Sequence, residues 1–181
     1  MRSSHTETRG TGTFGSRADG ALANAGQRGQ NPGAMRFPLA GGCNCGAVRY
    51  EVSEPLVRAS YCHCKRCQRR TGTAASAQAH PAPGTFRIVA GREKLRMWKP
   101  PDGGEKWFCG ECGSAIYGSN PSHPESIGIR MGTFDGDPGI RPTVRQYVAY
   151  AAAWEPLPDD GLPRFPESRH VPGARPIRPA P

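Results

Sequence analysis

Apolar and polar residues alternate with a period of two along several short stretches of this chain. Val48, Tyr50 and Val52 alternate with Arg49 and Glu51, which predicts a half-buried strand over Ala47–Val52. The same pattern marks Phe86–Val89, Lys94–Trp98, Ile127–Met131 and Val144–Val148. Val57–Tyr61 reads as a strand that delivers Cys62, and Lys106–Phe108 and Ser114–Gly118 read as two strands around a tight turn. Thr71–Ala79 is small and weakly apolar, as in a buried strand packed close to another backbone. Glu54-Pro55, His80–Gly84 and Pro100–Gly104 break the pattern with turn residues. Many short strands, Gly/Pro turns and no helical period imply an all-β domain.

The two ends lack this pattern. Residues 1–34 hold almost no large apolar side chain, so they bury too little surface to offset ordering entropy and are expected to be disordered. Met35 opens the first stretch that reads as folded and is a candidate start residue. Eight of the nineteen prolines fall in residues 156–181, so that tail is expected to be irregular. The expected organisation is an extension over 1–34, a domain over 35–166 and a disordered Pro/Arg-rich tail over 167–181.

Length and charge narrow the function. The 181 residues suit one domain. The net charge of +9 is spread out, with +2 in each end segment, so a solvated basic surface is expected rather than a nucleic-acid face. No apolar run reaches the ~18 residues that a membrane span needs. No apolar core of a secretory signal is present, so the seven cysteines are expected as metal ligands in the cytoplasm rather than as a disulfide framework.

The cysteines fall into the series CxC, CxCxxC and CxxC: Cys43 and Cys45, then Cys62, Cys64 and Cys67, then Cys109 and Cys112. The outer pairs are flanked by glycines, and two residues at i, i+2 on a strand share a face. Cys43, Cys45, Cys109 and Cys112 can therefore close a tetrahedral zinc site, the structural kind. Cys62, Cys64 and Cys67 are one ligand short of a closed site, which is the catalytic arrangement with an open position. Spacing also permits other partitions, such as Cys43 and Cys45 with Cys62 and Cys64. His63 is a possible fourth ligand, but on a strand it faces away from both neighbouring cysteines. Lys65, Arg66, Arg69 and Arg70 surround the inner motif with positive charge. An open zinc that ionises a thiol, set among cations, suits a thiol bearing carboxylates, and glutathione fits that description. The other readings are a non-catalytic zinc-binding interaction module and a thiol redox or metal sensor.

GGCNCGAVRYEV, YCHCKRCQRRTG and WFCGECGSAIYG resemble the three motifs of glutathione-dependent formaldehyde-activating enzymes and their centromere protein V relatives. The resemblance runs from about Phe37 to about Pro166. It implies a β-tent of small antiparallel sheets built around zinc knuckles. It implies two zinc ions per chain, a structural one on Cys43, Cys45, Cys109 and Cys112 and a catalytic one on Cys62, Cys64 and Cys67. It also implies carbon–sulfur lyase chemistry, in which glutathione adds to formaldehyde or a related small aldehyde. Lys65, Arg66, Arg69 and Arg70 are the candidate contacts for the glutathione carboxylates.

Overall fold

In the computed structural model, residues 36–170 and 172–177 are described. The expectation for residues 1–34 lies outside them, as do residues 178–181. The described chain runs β1 (Leu39–Gly42), β2 (Arg49–Val52), β3 (Arg58–Cys62), α1 (Lys65–Thr71), β4 (Ser76–His80), β5 (Phe86–Ala90), β6 (Leu95–Trp98), β7 (Glu105–Cys109), β8 (Ala115–Asn120), β9 (His123–Arg130) and β10 (Arg145–Gln146). The architecture is all-β, as the alternation implied.

The strands form two sheets. The smaller has the order β1-β2-β5 and the larger β10-β3-β4-β9-β8-β7-β6. The pairings are antiparallel except that β10 lies parallel to β3, with Arg145 opposite Tyr61 and Gln146 opposite Cys62. Alternation puts Val48, Tyr50 and Val52 fully inside, where they meet Ala79, Ile116 and Ile129. Truncating a buried isoleucine here to alanine costs about 2–5 kcal/mol. Aromatic rings continue this core: Tyr50 packs on Phe86 at 5.4 Å, Phe86 on Tyr117 at 5.0 Å, and Tyr117 stacks on Trp107 at 5.7 Å between centroids. Gly41 lets β1 approach this cluster, since a Cβ there would sit 2.3 Å from the Tyr50 Oη and 2.4 Å from the Thr133 carbonyl oxygen.

Two elements differ from the sequence expectation. The strand expected over Thr71–Ala79 is confined to Ser76–His80, and residues 65–71, where the sequence shows no helical period, form the helix α1. At seven residues it is too short to display a hydrophobic period, and it is specified by its ends. The Cys64 sulfur accepts from the Cys67 amide at the start, and Gly72, at φ 65°, turns the chain out at the end. The described part of the tail is irregular and is bonded to the domain. The Pro163 carbonyl accepts from Arg145 N–H at 2.9 Å, the Glu167 carbonyl from Tyr147 N–H at 3.1 Å, and Ile177 N–H donates to the Arg164 carbonyl at 2.7 Å. Proline loses only its donor. The carbonyls of Pro163 and Pro166 still accept, and they seat the tail against β10 and the turn after it.

Candidate metal centres and the polar face

The loop after β1 and the loop after β7 bring Cys43, Cys45, Cys109 and Cys112 together, all four sulfurs lying within 4.8 Å of one another. The Cys43 and Cys45 sulfurs are 3.5 Å apart and those of Cys45 and Cys109 3.8 Å apart. A zinc tetrahedron with ~2.3 Å bonds spaces its sulfurs ~3.8 Å apart, so the set fits that ion. Each loop is a knuckle closed by its own backbone: Gly46 N–H donates to the Cys43 carbonyl at 3.1 Å and Gly113 N–H to the Cys109 carbonyl at 2.9 Å. Ser114 locks the two loops together, since its hydroxyl accepts from Asn44 N–H at 3.0 Å and lies 3.2 Å from the Cys112 sulfur. The Ser114 hydroxyl and amide also pull the Cys112 thiol down to about 6.

The second cluster is local. Cys62 ends β3, Cys64 caps α1, Cys67 lies in the first turn of that helix, and their sulfurs also lie within 4.8 Å of one another. Bonds from the Cys62 and Cys67 thiols, followed by amides of the helix start, bring Cys64 down to about 2. Cys62 is pushed far up by the same contacts and by burial. Contact with Cys62 pulls Cys67 down, but Cys64, burial and the Cys64 charge outweigh it and the net shift is upward. Among the described residues, no fourth histidine, cysteine or carboxylate joins this cluster. His63 is buried on the opposite side, with Nε2 3.4 Å from Arg145, and lines a separate cavity of about 490 Å³ with Tyr61, Arg145 and Trp154.

Pairing register explains what faces the three sulfurs. Residues directly opposite in an antiparallel sheet share a face. Cys62 pairs with Ser76, Ser60 with Gln78, Gln78 with Arg130, Gly128 with Gly118, and Gly118 with Lys106. One face of the large sheet is therefore polar from Cys62 to Lys106. The other carries Ala59, Ala79, Ile129, Tyr117 and Trp107 into the core.

The four cations named from sequence have different fates. Lys65 is exposed and donates to the Gln68 side chain at 3.2 Å. Arg66 is paired with Asp102 at 2.5 Å, and Arg69 is exposed. Arg70 is half-buried, and burial, then the Arg130 charge, lower it to about 10. Arg130 and Lys106 complete the polar face, and sequence reading assigned neither of them to the site. Alternation on β9 marks Arg130 as facing away from Ile129, but not that the strand order brings it onto the face of Cys62. Gln68 is a further such residue: its amide donates to the carbonyls of His63 at 2.5 Å and Tyr150 at 2.7 Å, tying the cysteine loop to the turn after β10. In that turn Tyr147 takes φ 58°, a conformation that costs a non-glycine residue about 1–3 kcal/mol, and the backbone bond to Glu167 holds it.

A family model described as glutathione-dependent formaldehyde-activating enzyme matches residues 38–150. A protein of Halomonas elongata, provisionally named as an enzyme of that kind, is 30% identical over 105 residues, which is 55% of this chain and 67% of the relative. The crystal structure of a Rhodobacter sphaeroides protein, 30% identical, covers 57% of this chain and 92% of its own with a TM-score of 0.46. This chain belongs to the family of glutathione-dependent formaldehyde-activating enzymes.

Proposed function

We propose that the protein is a zinc-dependent carbon–sulfur lyase of the formaldehyde-activating type, adding glutathione or a similar anionic thiol to formaldehyde or a related small aldehyde. The observation that carries this reading is the cluster of Cys62, Cys64 and Cys67. It offers three sulfurs without a fourth ligand side chain among the described residues, and it opens on a polar, cationic face. Cys43, Cys45, Cys109 and Cys112 then hold a structural zinc and Cys62, Cys64 and Cys67 a catalytic one. A zinc bound by the three sulfurs supplies an open position at which a thiol ionises near neutral pH.

The chain's own residues do the rest. Holding the thiol beside the aldehyde turns a bimolecular encounter into a positioned one. The thiol sulfur bonds the carbonyl carbon, the C=O π pair moves to oxygen, and that oxygen takes a proton in place of the one the thiol released. Cationic side chains beside Cys67 hold the carboxylates of the thiol. Arg70 is placed for that, whereas Arg66 is occupied by Asp102 and Lys65 by Gln68. Seven free cysteines in two metal-sized clusters suit a reducing compartment, and the cytoplasm is the proposed location.

The test is exchange between formaldehyde and glutathione followed by NMR, with and without the zinc-loaded protein. Exchange should exceed the spontaneous rate and fall back to it in Cys64→Ser. An unchanged rate at full zinc occupancy rejects the lyase reading in favour of a binding module or sensor.

A further inference from the structure

Arg70, Lys106 and Arg130 lie close to Cys67 and line cavities that hold no carboxylate among the described residues. Arg130 is 6% exposed. Its Nη1 donates to Ser76 Oγ at 2.8 Å and to Gln78 Oε1 at 3.0 Å, while its buried Nε has no partner among the described residues. Arg70 likewise has a buried Nη1 without a partner. Arg130 lines two cavities at once. One, of about 510 Å³, is shared with Arg70, Thr71 and Ser76, and the other, of about 190 Å³, with Lys106, Gln78 and His80. Among the described residues no aspartate or glutamate lines either, and Cys112 of the first centre borders the larger one. Burial, then the charge of Arg130, lowers the Lys106 amine. Among the charges acting on it, Cys67 is the opposite one.

Glycines keep this place open. Lys106 lies over Gly118, where a Cβ would meet its Nζ at 3.6 Å, and a Cβ on Gly128 would press on the Gln78 side chain at 3.2 Å. A buried arginine with a free donor, beside two further cations and without an acid, lacks the anion that would offset its desolvation. A carboxylate supplies that charge, and guanidinium donors match its oxygens.

We infer that Arg130, with Arg70 and Lys106, forms an anion subsite that takes a carboxylate of the thiol substrate while the sulfur sits at Cys62, Cys64 and Cys67. This rests on the proposed thiol-binding reading and moves the carboxylate contact from the exposed side of α1 to the polar face of the sheet. Arg69, on the exposed side, takes no part.

Binding is measured by titration calorimetry on the zinc-loaded full chain with two probes, glutathione and S-methylglutathione. The second keeps both carboxylates but has no thiol to ionise. Arg130→Gln should weaken both at least tenfold, Lys106→Gln and Arg70→Gln several-fold, and Arg69→Gln not at all, with zinc content unchanged. Arg130→Lys should recover part of the loss, which a purely structural role would not give. If Arg130→Gln fails to fold, Lys106→Gln and Arg70→Gln decide. Unchanged affinity for both probes in those variants, or no binding of S-methylglutathione to wild type, overturns the subsite. Should S-methylglutathione bind through these residues while formaldehyde exchange is not accelerated, the subsite stands and the lyase reading falls.

Discussion

Cys45 and Cys109 meet across 64 residues of sequence, whereas Cys62, Cys64 and Cys67 come from six consecutive residues. On a chain-entropy scale for a cross-link, closing the long loop is worth about 4 kcal/mol and closing a five-residue loop about 2. Burial does not separate the two centres, since Cys45 and Cys112 of the first are exposed and Cys62 of the second is buried, but their surroundings do. Cys43 and Cys109 belong to the hydrophobic core cluster, while Cys64 and Cys67 are half-buried beside polar groups. A metal at the first centre joins the small sheet to the large one. At the second it is displayed on a face already built by strand pairing. In the proposed reading, the same ligand chemistry would serve stability in one place and leave room for a substrate in the other.

The largest expected effect tests that division. Cys109→Ser should abolish the cooperative thermal melt, because a structural zinc contributes on the order of 10 kcal/mol in small domains. Cys64→Ser should keep the melt and lose only the second metal. Equal melts by circular dichroism would break the comparison.

Next is an acid effect on the polar face. Burial, then Arg58, pushes His80 down to about 4. Its folded form is neutral, so its contribution is present above the unfolded value near 6.5 and is lost as pH falls toward 4. The loss is on the order of 2–3 kcal/mol, read by denaturant unfolding at several pH values. His80→Gln should flatten that window, and an unchanged slope would assign the acid loss to the cysteine centres instead.

Chelator titration separates the centres more finely. Metal should leave in two steps differing by at least about tenfold in affinity, or about 1.4 kcal/mol, the three-sulfur centre first. Release in a single step would make the centres equivalent. The smallest effect belongs to the exposed pair Arg66–Asp102. Asp102→Asn should shift stability by less than about 1 kcal/mol, since such pairs are screened, and should leave zinc content alone. A loss of the second metal would show that the pair shapes α1.

The sequence by itself determined the strands and the ligand chemistry, because both are local. Alternation at Val48, Tyr50 and Val52 states which face is buried. Glycine-flanked CxC and CxxC motifs describe knuckles that need only a few residues to form. The tertiary structure decided what depends on register and distance. It chose Cys109 and Cys112 as partners of Cys43 and Cys45, a partition that spacing left open. It made a helix of residues 65–71 through its caps rather than any period, and it turned Arg66 to Asp102. It placed Arg130 and Lys106 on one face with Cys62, although they lie on strands far apart in sequence. A lone arginine in a strand reads as solvent-facing. Only the sheet order brings that charge onto one face with Cys62, beside Ser76 and Gln78.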